Sequence, residues 1–160
     1  MLNKIKFQPI SEFNPGTICN ILNQSYVGSP YENEKHIWAD FDNESYNNPQ
    51  TVGRCVFISI MSNKIIGLTS YDPRQKPLGI IGHNCILPKY RRNGYGKEQI
   101  LEIIRILKMK GFIELKVTTD EHPFFIPAQK MYLSCGFKEV SRRQNNELSE
   151  YKYIEYRQEI

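Results

Sequence analysis

Apolar positions along this chain change period several times, and each change marks an element. Residues 4–9 read as a short first strand. Over residues 15–26 the apolar positions Ile18, Ile21 and Leu22 have helical spacing, with Asn14 as N-cap and Pro15 in the first turn. A second helical stretch, around residues 31–46, is polar and rich in Glu and Asp; Ile37, Trp38 and Phe41 form its apolar face. β-Branched runs follow at 54–61, 64–71 and 78–87, separated by a tight Ser62-Asn63 turn and a longer one bracketed by Asp72-Pro73 and Pro77. They predict three consecutive antiparallel strands. Residues 96–110 return to a helical period, with Ile100, Ile103, Ile104 and Leu107 on one face and Gly111 placed to end it. Residues 112–119 alternate as a strand, and 127–135 form a short helix stopped by Gly136, where Phe137 can fold back as the hydrophobic partner of the cap. Residues 137–142 and 151–157 make a final strand pair. The predicted order is β-α-α-β-β-β-α-β-α-β-β: an α/β (α+β) fold with a single mixed, mostly antiparallel sheet and helices on both faces, in one domain over 1–160.

Composition narrows the chemistry. The formal net charge of +4 suits a small anionic ligand and is too weak to argue for nucleic acid. Cys19, Cys55, Cys85 and Cys135 lie far apart without a Cys-x-x-Cys pair, which favours a reduced cytoplasmic protein over a disulfide scaffold or a zinc site. Three histidines with no helical pair give no metal signal. The N-terminus has no apolar leader core and no segment reaches membrane-spanning length, so no membrane partner is expected.

The passage PKYRRNGYGKEQI, from Pro88 to Ile100, stands out. Lys89, Arg91, Arg92 and Lys97 crowd a helix start that has no carboxylate before Glu98. A helix N-terminus is already the positive end of a dipole, so these charges are mildly unfavourable until an anion docks there. Glycines let backbone approach a phosphate with no Cβ in the way. Alone, the turn reads equally as a solvated basic loop; its place between a buried strand and an amphipathic helix favours phosphate binding. It is not a Walker A loop, because Glu98 follows Gly96-Lys97 and Arg91 stands at the first glycine position. It is not a dinucleotide fingerprint either, for lack of a third glycine.

The turn resembles motif A of the GNAT superfamily of acyl-CoA-dependent N-acyltransferases, Gln/Arg-x-x-Gly-x-Gly/Ala, matched by Arg91, Gly94 and Gly96. It follows Ile86-x-Pro88, a common lead-in for that family, and Ala128 to Phe137 is similar to the family's Ala-x-x-x-Tyr-x-x-x-Gly-Phe segment. The resemblance covers almost the whole chain. It implies that the strand ending at Leu87 splays from residues 112–119 and that the pantetheine arm of acetyl-CoA enters there. Backbone groups of Ile86 and Leu87 would pair with its amides. Backbone N–H groups of Arg92, Asn93, Gly94, Tyr95, Gly96 and Lys97 would hold the pyrophosphate, with Arg91 and Arg92 supplying charge.

The same resemblance makes Tyr132 the candidate proton donor to the departing thiolate, against the reading of a core tyrosine on a short helix. Many family members carry a glutamate base six residues before the position of Ile86; here that position is Ile80. His83 has a suitable ordinary pKa, but strand alternation from Ile80 turns it to the opposite face. By family analogy the acceptor lies between the second helical region and the final strand pair. Glu32, Glu34, Asp40, Asp42 and Glu44 with Tyr31, Trp38 and Tyr46 would suit a cationic amine, or form only a solvated face. The expected activity is N-acetyl transfer from acetyl-CoA to a primary amine of a small molecule or protein. The alternative is a catalytically weak acyl-CoA sensor. An RNA-binding module using Arg91, Arg92, Arg142 and Arg143 is disfavoured by the modest charge. Either a monomer or a homodimer fits.

Overall fold

The computed structural model describes residues 4–148 and 150–160. Hydrogen bonding joins seven strands, β1 (Lys6–Pro9), β2 (Val56–Met61), β3 (Lys64–Asp72), β4 (Leu78–Ile86), β5 (Glu114–Asp120), β6 (Lys138–Gln144) and β7 (Lys152–Glu159), in the order β1-β2-β3-β4-β5-β7-β6. The β1/β2, β2/β3, β5/β7 and β6/β7 pairs are antiparallel and β4/β5 is parallel. The helices are α1 (Thr17–Ser25), α2 (Lys35–Asn47), α3 (Tyr95–Met109) and α4 (Ile126–Ser134). This is the expected mixed, mostly antiparallel architecture. None of the described helices is long and apolar enough to cross a membrane.

Two compact units divide the chain: residues up to Tyr71 with His83–Gln99, and Asp72–Gly82 with Ile100–Ile160. In the first unit, Ile18, Ile21 and Leu22 of α1 and Trp38 of α2 share a core with Val56, Ile58 and Ile60 of β2, Leu68 of β3 and Cys85 of β4. Alternation along β2 sends Ser59 to the other face, where it meets Gln99 at the start of α3. Ser62 and Asn63, both at positive φ (48° and 61°), close the β2–β3 hairpin as a primed turn that matches strand twist.

Three local expectations shift. The residue capping α1 is Gly16 (φ 96°), not Asn14, and the cap itself comes from a distant carboxylate: Asp42 of α2 accepts from Gly16 N–H at 2.9 Å and Cys19 N–H at 3.0 Å. Asp42 is only 3% exposed, so it belongs to the fold and not to an acidic surface. On α2, Trp38 is buried while Ile37 is 38% exposed, because only the former's direction meets the β2–β4 core.

In the second unit, β4 and β5 pair in register from Leu78↔Glu114 to Ile80↔Lys116. Gly79 permits that approach: a Cβ there would lie 2.9 Å from the Leu115 side chain. Gly136 (φ 97°) ends α4, Phe137 N–H returns to Tyr132 O at 3.2 Å, and the Phe137 ring meets Tyr132 edge-on at 5.9 Å. That is the cap expected from the sequence.

Candidate active site

The glycine turn lies wholly in the first unit and its shape follows from its residues. A short 3-10 turn, Pro88–Tyr90, ends β4, and Arg91 N–H donates back to Pro88 O at 3.2 Å. Arg92 (φ 62°) and Gly94 (φ 79°) then adopt left-handed backbone, a conformation uncommon for a non-glycine residue. Asn93 folds inward, its Nδ2 donating to Tyr90 O at 3.2 Å and Arg91 O at 3.0 Å. Glu98 N–H returns to Gly94 O at 3.1 Å, so the first helical hydrogen bond of α3 is accepted by the left-handed glycine of the turn. A Cβ on Gly94 would meet nothing within 4 Å, so the positive φ and not crowding is what favours glycine there. Gly96 would touch only Ile86, at 3.8 Å.

Electrostatics keep that opening positive. The one acidic residue of the first turn, Glu98, turns its carboxylate to Ile5 N–H at 2.8 Å. Arg92 and Lys97 are solvent-exposed. Arg91 is different. Its Nε donates to Ile86 O at 2.9 Å and its Nη2 to Ser25 O at 2.5 Å, and burial lowers its pKa. Leu87 is also committed, its N–H donating to Ile66 O at 2.8 Å and its carbonyl accepting from Tyr90 N–H at 2.9 Å.

A buried amide fixes the helix behind the turn. Gln99, with 0% exposure, accepts from Ser59 Oγ at 2.5 Å and donates to Leu68 O at 2.9 Å and Asn84 Oδ1 at 2.6 Å. One side chain thus ties the first turns of α3 to three strands. Sequence reasoning passed over it. The signal was present: Gln99 shares the helical stripe of Ile103 and Leu107, and a polar residue on an apolar stripe needs partners.

The acyl-transfer candidates separate by strand face. Asn84 meets α3, whereas His83 meets Phe41 at 4.5 Å and Trp38 at 5.4 Å on α2, so alternation holds through this part of β4. Burial lowers the His83 pKa to about 4. Its ring is neutral at pH 7 and a poor base: taking a proton from a lysine-like ammonium is uphill by roughly 8–9 kcal/mol. Ile80 brings no carboxylate. Tyr132, in the second unit, is 5% exposed, with its ring between Phe137 and Tyr156, each 5.9 Å away. Of the acids around α2, Asp42 is taken up by the fold, while at the surface Glu32 accepts from Gly28 N–H at 2.8 Å and Glu34 lies 3.6 Å from His36.

Comparison with known proteins decides the family. The sequence profile of the acetyltransferase (GNAT) family matches residues 17–137. The chain belongs to the GNAT family. Solved structures of similar fold include a GNAT-family protein of Desulfovibrio desulfuricans, 14% identical over 97% of each chain with a TM-score of 0.77. The ribosomal-protein-S18-alanine N-acetyltransferase of Escherichia coli is 15% identical over 98% of this chain and 94% of its own, with a TM-score of 0.71. A Bacillus subtilis acetyltransferase in complex with CoA is 12% identical over 98% of each, with a TM-score of 0.67. At these identities the likeness is one of fold. Among curated protein sequences, none matches this chain. The GNAT profile spans both the glycine turn and the Tyr132-to-Phe137 segment.

Proposed function

We propose that this GNAT protein is an N-acetyltransferase that moves the acetyl group of acetyl-CoA to a primary amine of a small molecule or a protein. The observation that carries the reading is the turn opening α3, with left-handed backbone at Arg92 and Gly94, exposed Arg92 and Lys97, and its nearest carboxylate turned away. Acetyl-CoA supplies an acyl thioester whose diphosphate suits such a cradle. The N–H groups of Arg92 through Lys97 bind the diphosphate. Ile86 and Leu87, at the end of β4, border the arm; the Leu87 N–H is held by Ile66, which leaves its carbonyl's second lone pair. Tyr132 holds a phenolic proton for the departing sulfur. With Ile80 apolar and His83 neutral, the acceptor amine loses its proton to water or before binding.

The test is an amine panel with acetyl-CoA, read as release of free thiol. Wild type should turn over at least one amine, with the rate at subsaturating amine rising with pH toward that amine's own pKa. Tyr132→Phe should keep acetyl-CoA affinity and lower turnover by about 10²-fold. Unchanged turnover in Tyr132→Phe removes the proton-donor role. A second reading, an acyl-CoA sensor, is favoured by Ile80 at the family's carboxylate position. Tight acetyl-CoA binding with no thiol released across the panel would establish it.

A further inference from the structure

The carbonyl of Ser25, last residue of α1, is one of the groups a helix end leaves without an internal partner. Arg91, 66 residues later, fills it through Nη2, and the same guanidinium reaches Ile86 O through Nε. Ser25 is itself buried at 1% exposure. Three segments therefore meet at one side chain: the C-terminus of α1, the end of β4, and the residue from which the glycine turn departs. The next residue, Arg92, carries the positive φ, so the clamp stands directly before the left-handed part of the turn.

We propose that Arg91 is a positioning residue, governing acyl-CoA binding by clamping the turn to the ends of α1 and β4 and not by lending its charge to the phosphates. The inference rests on the reading of the turn as a diphosphate cradle. It gives different work to neighbouring arginines to which the family resemblance gives the same charge role: Arg91 holds geometry, and exposed Arg92 holds charge. It also links the cofactor loop to the segment after α1, where Tyr26 N–H donates to Leu22 O and Ser29 N–H to Tyr26 O.

Lysine separates the two roles, because it keeps the charge but cannot present a rigid planar fork to two carbonyls. Binding of CoA would be measured by calorimetry at low and high salt. Arg91→Lys and Arg91→Gln should weaken CoA alike, by about tenfold, the loss of one charge-assisted hydrogen bond, while the salt dependence of binding stays that of wild type. Arg92→Lys should bind within about twofold of wild type, and Arg92→Gln should lose affinity together with part of its salt dependence. Amide exchange at Tyr26 and Ser29, without ligand, should quicken in both Arg91 variants and in neither Arg92 variant. Should the Arg91 variants not fold, wild type carries the test alone: saturating CoA should slow exchange at Tyr26 and Ser29, and unchanged exchange overturns the clamp. Arg91→Lys binding CoA as wild type does, with Arg91→Gln weakened and less salt-sensitive, likewise overturns it. Wild type that fails to bind CoA at all overturns the cradle reading itself, a separate and distinguishable result.

Discussion

Two helices start in the first unit in the same way and are completed differently. Both α1 and α3 start at or just after a left-handed glycine, Gly16 (φ 96°) and Gly94 (φ 79°), and in both an added Cβ would meet open space. At α1 the exposed end of the dipole is answered from inside the chain, by the buried carboxylate of Asp42 on two N–H groups. At α3 cations gather at that end, and the nearby carboxylate of Glu98 serves Ile5 instead. A helix start whose anion is built in contributes to stability. One that gathers cations instead is less stable alone, and on the proposed reading the ligand's phosphates complete it.

Breaking the built-in anion should have the largest effect. Asp42→Ala removes two charge-assisted hydrogen bonds from the start of α1 and should cost about 3 kcal/mol in urea unfolding. A loss below about 1 kcal/mol would mean that water replaces the carboxylate and that the two starts are alike. The glycines give a sharper, smaller contrast. Gly16→Val and Gly94→Val should each cost about 1–2 kcal/mol of stability from left-handed strain. Only Gly94→Val should also abolish the rise in melting temperature that acetyl-CoA gives by mass action. Equal ligand-induced shifts in both variants would detach the cofactor from α3. The smallest effect belongs to Glu98→Gln. The amide oxygen still accepts from Ile5, so stability should change by less than about 1 kcal/mol, while loss of a negative charge beside the loop should tighten CoA by up to about fivefold. Weaker binding would show that the carboxylate takes part in holding the ligand.

The sequence and the structure agree wherever the determining contacts are local. The period of α3, the Ser62-Asn63 hairpin and the Gly136-Phe137 stop are all set by residues within a few positions of one another, and periodicity finds them. Asp42 shows the other case. Its partners lie 26 and 23 residues earlier, so on α2 it reads as one more surface acid, and Asn14 reads as the cap of α1. Arg91 is similar: a motif marks it as a loop cation, while its contact with Ser25 spans 66 residues. Gln99 lies between these cases, since its place on an apolar stripe announces a buried polar network but not that Ser59, Leu68 and Asn84 complete it.

The interleaving of the two compact units bears on how the protein is made. The chain enters the second unit at Asp72, returns to the first at His83, and leaves it for good after Gln99. A nascent chain emerging from the ribosome therefore cannot finish the first unit at Tyr71. It must synthesise and set aside residues 72–82, then add the second half of β4 and the start of α3. Neither unit corresponds to an uninterrupted stretch of the chain, so truncation at any single codon leaves at least one of them incomplete. Recombination between relatives would have to exchange two segments together to transplant either one.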